Sequence, residues 1–475
     1  MINVVLHTLF VLALGYYVMT SMQWYSYKIE RVLFHYNRYD WYIYYFILPI
    51  IAYYGSFGFL SYGVYGLYVI ALFLWYQKRD KKLVFTARVK RFFLFLLLMT
   101  LFQNLLCLTY FTCNTYGIII PLAFAHLLSL AFEKMLFLSF KKEAKAKISQ
   151  MLALKVIAIT ASYGKTSIKN FLAQILASQF RVYATPRSVN TLGGIIQDIN
   201  NALKKEMQVY IVEAGARVRG DIEEIASLVQ PHIAIVGKVG EQHIEYFKTL
   251  ENIRNTKMEM IHSERLEKAF IHESAQVKGN EKIQIFGQDL YHIESTLEGI
   301  SFDMEINGHK EHFTCKLLGD FNAINIAAAI HASLAMGMDI KAIQGAVSNL
   351  KGVEHRLQRI EAGGKLIIDD SFNGNFDGMM SSYTLVNTYA GRKVILTPGI
   401  VESNENANIA LAQRIDDVFD LVIITGKVNL KVLDSYVKKA EKIILSDKSK
   451  MQEILAQHTR VGDLILFSND APNFL

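Results

Sequence analysis

Two regimes of hydrophobic patterning divide the chain. Up to about residue 140 the apolar side chains run in long blocks, near residues 2–22, 41–57, 58–76, 91–111 and 116–139. A membrane-spanning helix needs roughly 20 apolar residues, and the first, fourth and fifth blocks reach that length. The second and third are parted only by Gly55-Ser56-Phe57-Gly58. Beyond residue 150 the apolar runs shorten. Val156–Ile159, Val209–Val212 (ending in Glu213), Ile233–Val236, Lys365–Ile368, Lys393–Leu396 and Leu421–Ile424 read as buried strands. Helical periodicity covers Ile168–Ser178, Asp221–Val229, with an aspartate at its start, and Phe321–Ala335. Alternation through 282–317, broken at Gly299 and Gly308, predicts hairpins. Short apolar strands separated by helices predict a mostly parallel sheet, which binds ligands beyond the carboxyl ends of its strands. A second α/β unit is expected from near residue 361, with Lys365–Ile368 as its first strand.

Charge sharpens the division. The 475 residues carry a net +7, yet residues 1–150 hold 15 Lys/Arg against 5 Asp/Glu. The remainder is therefore slightly acidic. The basic third also holds all three tryptophans and 17 of the 25 tyrosines. These are signs of a membrane, not of a nucleic-acid-binding arm. Basic residues cluster at Lys28, Arg31 and Arg38, at Lys78–Lys90, and at Lys141–Lys147. Five spans put all three clusters on one side. By the positive-inside bias the N-terminus is then outside and residues 140–475 are cytoplasmic, in a multi-pass protein of a bacterial inner membrane. The first residues lack the basic start of a cleaved signal peptide. His7, Gln103, Asn104 and His126 lie within the apolar blocks and are expected to hydrogen-bond between helices. Cys107, Cys113 and Cys315 are too few and too scattered for a disulfide framework or a metal knuckle, and read as structural.

The chemistry is concentrated in Thr160-Ala161-Ser162-Tyr163-Gly164-Lys165-Thr166-Ser167. Strand, tight loop, Gly-Lys-Thr and helix together form a phosphate cradle. Backbone N–H groups point at the anion, the lysine adds a point charge, and the threonine hydroxyl suits Mg²⁺. The loop is shorter than GxxxxGK[ST], because Ile159 stands where the first glycine would be. Glu213 closes a strand and suits a hard cation, although a strand-end acid also caps helices. His243, in Val239-Gly240-Glu241-Gln242-His243, is an unusual partner for Mg²⁺. Lys257 reads by default as a solvated helix lysine. None of these three singles out a site by itself.

Together these segments resemble the Mur ligases, which extend the peptide stem of the bacterial cell-wall precursor, and within them the MurF branch. The likeness runs in order through residues 160–475. It is carried by the Tyr-Gly-Lys-Thr-Ser loop, Thr185-Pro186-Arg187-Ser188-Val189-Asn190-Thr191, Glu213-Ala214-Gly215-Ala216 followed by Gly220-Asp221-Ile222, and Val239–Phe247. It continues through Lys257, Asn322–Ala329, Arg356 and Asp369-Asp370-Ser371-Phe372-Asn373.

The resemblance implies a fold: a P-loop parallel-sheet ATPase domain over residues 151–355 and a Rossmann-like α/β domain over 356–475, after a membrane region of about five transmembrane helices in residues 1–150. It implies ATP and Mg²⁺. Ser162, Gly164, Lys165, Thr166, Ser167, Asn322, Asn325, Arg356 and Asp370 would bind nucleotide, and Thr166, Glu213 and His243 would hold metal. Lys165, His243 and a carbamoylated Lys257 would serve catalysis. Ser188, Asn190, Thr191, Ser371, Asn373 and Asn375 would face substrate. The implied reaction phosphorylates the carboxylate of UDP-MurNAc-tripeptide, and the amine of D-alanyl-D-alanine then attacks the acyl phosphate. Implied partners are those two substrates, the lipid bilayer and membrane enzymes of the lipid-linked precursor pathway, with no nucleic acid.

Several positions depart from the family pattern. Ala161 stands for glycine, Phe321 for histidine, Phe372 for tyrosine and Phe376 for proline. Membrane segments occupy the place of the domain that grips the uridine nucleotide. The alternatives are a ligase of the same fold acting on another, lipid-linked substrate, or a non-catalytic ATP-binding membrane scaffold. A transporter fits poorly, because five spans with few charges carry no ATP-transporter signature.

Overall fold

A computed structural model describes residues 2–470 except positions 26, 28, 30, 31, 33–38, 57, 58, 79–81, 112–116, 243, 373, 402 and 404. The expected roles of His243 and Asn373, the placement of Cys113, and much of the first two basic clusters therefore lie outside the described residues. The chain divides into two compact units, residues 1–140 and 141–475.

The first unit is helical. Ile2–Trp24, Ala87–Tyr110 and Ile119–Gln150 are long and apolar enough to cross a membrane, with mean hydropathies of 1.8, 2.1 and 1.5. The other two expected blocks form residues 39–55, interrupted by the π-helical stretch Ile43–Ile47, and Phe59–Gln77, whose tyrosines dilute its hydropathy. Phe10, Leu14, Tyr53, Tyr68 and Leu96 pack inward. Leu94, Leu98, Phe102, Phe124 and Leu127 face outward, as a lipid-facing surface requires. The polar side chains do bond between segments. Nε2 of His7 and Nε2 of Gln103 both reach the Gly117 carbonyl, at 3.0 and 2.7 Å, and Asn104 donates to Thr8 at 3.2 Å. His126 makes no such bond among the described residues. Cys107 is disulfide-bonded, a bridge that the cysteine spacing did not suggest, while Cys315 is free and buried.

The second unit is built on two six-stranded sheets. In the first, β1 (Lys155–Thr160), β2 (Val182–Ala184), β3 (Val209–Glu213), β4 (Ile233–Val236), β5 (Lys268–His272) and β6 (Ile283–Phe286) are all parallel, in the order β2-β3-β1-β4-β5-β6. Ile157 and Ile159 point to the side of the Lys165–Leu176 and Phe321–Ala335 helices, and Val156 and Ala158 to the side of Leu192–Asn201 and Asp221–Val229. With both faces covered, the strands read as unbroken apolar runs. Ala144 and Ile148 join the second core layer, and Lys147 Nζ donates to the Ile199 and Asn200 carbonyls at 2.7 and 3.1 Å, capping the end of the Leu192–Asn201 helix.

The hairpins expected over 282–317 form only in part. Ile283–Phe286 joins the parallel sheet as its edge, paired residue by residue with Ala269–His272 of β5. The antiparallel strands β7 (Leu290–Thr296), β8 (Gly299–Ile306) and β9 (His309–Cys315) follow. The second sheet needs another correction. Its first strand is β10 (Gln358–Ala362), antiparallel to β11 (Lys365–Asp370) across Gly363-Gly364, whose φ values of 58° and 70° are those of a tight hairpin turn. β12 (Lys393–Thr397), β13 (Leu421–Thr425), β14 (Glu441–Leu445) and β15 (Leu464–Ser468) complete the order β10-β11-β15-β12-β13-β14.

Candidate functional site

β1 ends at Thr160, and a four-residue loop leads to the Lys165–Leu176 helix. The helix starts three residues earlier than its periodicity predicted, so Lys165, Thr166 and Ser167 occupy its first turn. The loop is fixed from below: Ser162 N donates to the Lys238 carbonyl and Ser162 Oγ to the Gly240 carbonyl, both at 2.9 Å. Gly164 caps the helix with φ of 80°, and a Cβ there would lie 2.2 Å from Asn325 Oδ1. Asn325 in turn donates to Asn322 Oδ1 at 3.1 Å, and Asn322 to the Leu318 carbonyl at 2.8 Å. The start of the Phe321–Ala335 helix is therefore seated on the loop. Gly164→Ala meets both the left-handed backbone, which costs an L-residue about 1–2 kcal/mol, and the asparagine. A melting temperature several degrees lower and a weakened ATP affinity are expected, checked by thermal denaturation and nucleotide titration.

Lys165 Nζ donates to the carbonyls of Ala161 (2.8 Å) and Ser162 (3.1 Å) and to Gln242 Oε1 (3.3 Å). Burial pulls its ammonium down to about 8, with Glu213 opposing and Arg356 adding to the shift. Thr166 Oγ1 donates to Glu213 Oε1 at 3.1 Å, and Asn190 Nδ2 reaches the same oxygen at 3.3 Å. The backbone N–H of Glu213 is held by Thr185 Oγ1 at 3.2 Å. The other carboxylate oxygen, Oε2, lies 3.1 Å from Lys169 Nζ and is buried without a hydrogen bond. The sequence reading passed over Lys169. Its signal was a lysine one helical turn beyond Lys165, set among Ile168, Phe171 and Leu172, where a solvated face would be polar.

Lys257 is not solvated as its sequence setting suggested. It lies buried in the Leu250–Met258 helix, only 3 % exposed, with no hydrogen bond or ion pair among the described residues. Burial draws its pKa well below the ordinary lysine range; Lys165 adds to this, and Asp221 and Glu259 oppose it.

From the second sheet come Arg356, Asp370 and Ser371. Arg356 lies 5.5 Å over the Phe372 ring; burial lowers its pKa while Glu213 and Asp370 raise it. The Asp370 carboxyl is pushed up to about 6 by burial, against a 2.8 Å hydrogen bond from Ser382 Oγ. Ser371 N bonds Asp369 Oδ1 at 3.2 Å, and the other oxygen of Asp369 meets His355 Nδ1 at 2.7 Å.

Two of the residues expected to face substrate are helix caps. Thr191 Oγ1 accepts from Gly194 N at 3.3 Å, and Asn375 Oδ1 from Gly378 N at 3.0 Å. Ser188 is exposed, and Asn190 is tied to Glu213. The fold thus joins Lys165, Thr166, Asn190, Glu213, Asn322 and Asn325 through shared contacts, with Lys257, Arg356 and Asp370 coupled to them electrostatically.

Among the described residues no three His, Cys, Asp or Glu side chains group as a metal site. The donors present still suit a hard divalent cation. Thr166 and Glu213 offer oxygen only, and Glu213 Oε2 lacks a hydrogen bond.

Residues 159–333 match the Mur ligase middle domain. The UDP-N-acetylmuramoyl-tripeptide–D-alanyl-D-alanine ligase of Bacillus subtilis is 26% identical over 348 residues, covering 68% of this chain and 74% of that protein. The ligase of the same name from Buchnera aphidicola subsp. Acyrthosiphon pisum is 27% identical over 359 residues, covering 66% of this chain and 77% of its own length. Among solved structures, MurF ligase from Thermotoga maritima in complex with ADP is 24% identical with a TM-score of 0.61, covering 70% of this chain and 80% of that one. MurF from Acinetobacter baumannii gives 23% and 0.61, covering 70% and 77%; both likenesses concern the fold. A middle domain bearing the Lys165–Glu213 cluster, relatives of one kind along most of their length, and a shared fold lead to one conclusion: residues 159–333 are a Mur ligase middle domain, in a chain similar to ligases of the MurF kind.

Proposed function

We propose that the chain is an ATP-dependent amide ligase of the MurF type, joining D-alanyl-D-alanine to UDP-MurNAc-tripeptide in peptidoglycan precursor synthesis. The observation that carries this reading is the convergence of Lys165, Thr166, Glu213, Asn322 and Asn325 at the carboxyl ends of β1 and β3, facing Arg356 and Asp370. We assign residues 1–150 to a membrane region of about five spans, 151–355 to a P-loop ATP domain and 356–475 to a Rossmann-like domain. The last two lie on the cytoplasmic side.

The loop 160–167 cradles the triphosphate. Lys165 exchanges its backbone carbonyl partners for phosphate oxygens, which regain for it the charge partner that burial denies. Asn322 and Asn325 hold the adenine side. Thr166 and Glu213, with His243, would hold Mg²⁺, whose chemistry is to neutralise the phosphate oxygens. The tripeptide carboxylate takes the γ-phosphoryl group of ATP and ADP leaves; the amine of D-alanyl-D-alanine then attacks the acyl carbon and loses a proton, and phosphate leaves. The protein contributes positioning and fixed charge. Ser188, Asn190, Thr191, Ser371, Asn373 and Asn375 lie on the segments assigned to the two substrates. Thr191 and Asn375 act there through the helix starts they cap.

Lys257 is read as carbamoylated. Its neutral amine adds to the carbon of CO₂ and loses a proton, placing an anion where the bare lysine would be an unpaired buried group. Turnover is therefore expected to fall severalfold in CO₂-depleted buffer and to return with bicarbonate. A rate indifferent to CO₂ would leave Lys257 acting as an amine.

The test is purified full-length protein with ATP, Mg²⁺, UDP-MurNAc-tripeptide and D-alanyl-D-alanine, following phosphate and pentapeptide. ATP binding without pentapeptide would overturn this reading. The three membrane-length helices favour, as a second reading, a substrate already linked to lipid. Running the assay on the lipid-linked tripeptide separates the two.

A further inference from the structure

Glu213 is buried, and it already has a cation beside it. Lys169 is fully buried on the Lys165–Leu176 helix, with its Nζ 3.1 Å from Glu213 Oε2. The same ammonium donates to the carbonyl of Arg187. The opposite oxygen of Glu213 is occupied by Thr166 and Asn190. Lys165 and Arg356 face the same carboxylate. One buried negative charge is thus surrounded by several positive ones, and a free divalent cation arriving alone would add to the excess.

We propose that Lys169 is the resident counter-ion of Glu213, so that the site accepts a divalent cation only together with a polyphosphate. A carboxylate paired in a dry interior gains little from a second cation, because the ammonium nearby repels it and cannot leave without desolvated charge being stranded. A triphosphate reverses this balance, since it brings several negative charges to Lys165 and the helix N-terminus, and the cation then bridges phosphate and Glu213. Lys169 is also a strap. Through the Arg187 carbonyl it fixes the 185–191 segment, which carries Asn190, to the carboxylate. It is a positioning residue: it acts through Glu213 and touches no reacting atom. The inference rests on Glu213 being the metal carboxylate, which belongs to the proposed function.

The experiment is Mn²⁺ binding to the full chain in detergent, read by electron paramagnetic resonance without substrate. In the wild type, binding without nucleotide should be weak and should tighten at least ten-fold with a non-hydrolysable ATP analogue. Lys169→Met removes the ammonium 3.1 Å from Glu213 Oε2, so nucleotide-free Mn²⁺ should bind at least ten-fold more tightly than in wild type and should raise the melting temperature of the variant. Lys169→Gln, which keeps a donor for the Arg187 carbonyl, should show the same gain and serves if the methionine variant folds poorly. Adding Glu213→Gln to either variant should abolish the gain. Nucleotide-free Mn²⁺ affinity unchanged or weaker in both variants would overturn the proposal, as would a gain that survives Glu213→Gln. Because no turnover is measured, a chain that binds Mn²⁺ as described but makes no pentapeptide would overturn the proposed function alone.

Discussion

Lys165→Ala is expected to lower kcat by about 10³-fold or more, because phosphoryl transfer leaves the protein little to do except position groups and neutralise charge. Three observations set the size of this effect. The ammonium is half-buried, and burial already lowers its pKa, so its charge acts on phosphate with less screening than in open water. Its hydrogen-bond partners are loop carbonyls and Gln242, weak partners that a phosphate oxygen displaces. No other lysine stands in the first turn of that helix to replace it. The fold should survive, because burial already disfavours this charge and alanine removes it. A melting temperature within a few degrees of wild type, alongside lost phosphate release, would assign the defect to chemistry. Near-normal turnover would contradict the role given to the loop.

Glu213→Gln should cost both activity and stability. Activity is expected to fall by about 10²-fold or more, the range seen when one charge-stabilising group is removed from a reaction site. Stability should fall by about 3–5 kcal/mol, because breaking a buried pair leaves Lys169 as an uncompensated charge. The two losses are separable. Glu213→Gln with Lys169→Gln removes the stranded ammonium, so denaturant unfolding should recover much of the stability, while pentapeptide synthesis stays low. A double variant that regains activity would mean Glu213 matters only for packing charge. A single variant as stable as wild type would mean the 3.1 Å pair contributes nothing to the fold.

The change of regime near residue 140 could be read along the chain, because long apolar blocks and short β-branched runs differ in length and period, and the chain divides into two units there. The buried strands of the parallel sheet and the helices Asp221–Val229 and Phe321–Ala335 were legible for the same reason: their period and length admit one packing each. β10 was not, since Gln358–Ala362 is half exposed and polar, and only its pairing with β11 across Gly363-Gly364 makes it a strand. Nor was the fate of Ile283–Phe286, where an alternating edge strand and a hairpin strand share one pattern.

By itself the sequence determined that the Ala161–Gly164 loop follows a strand and that Glu213 ends another, because both depend on neighbours along the chain. Only the tertiary structure decided that Thr166 and Glu213 touch, that Lys257 is buried with its pKa drawn down, that Thr191 and Asn375 cap helices, and that Lys169 pairs with Glu213. Each of these depends on which groups water leaves behind when distant segments close on one another. A lysine has one composition and one local propensity whether it lies in solvent or against a buried carboxylate, so its charge and its role are set by packing.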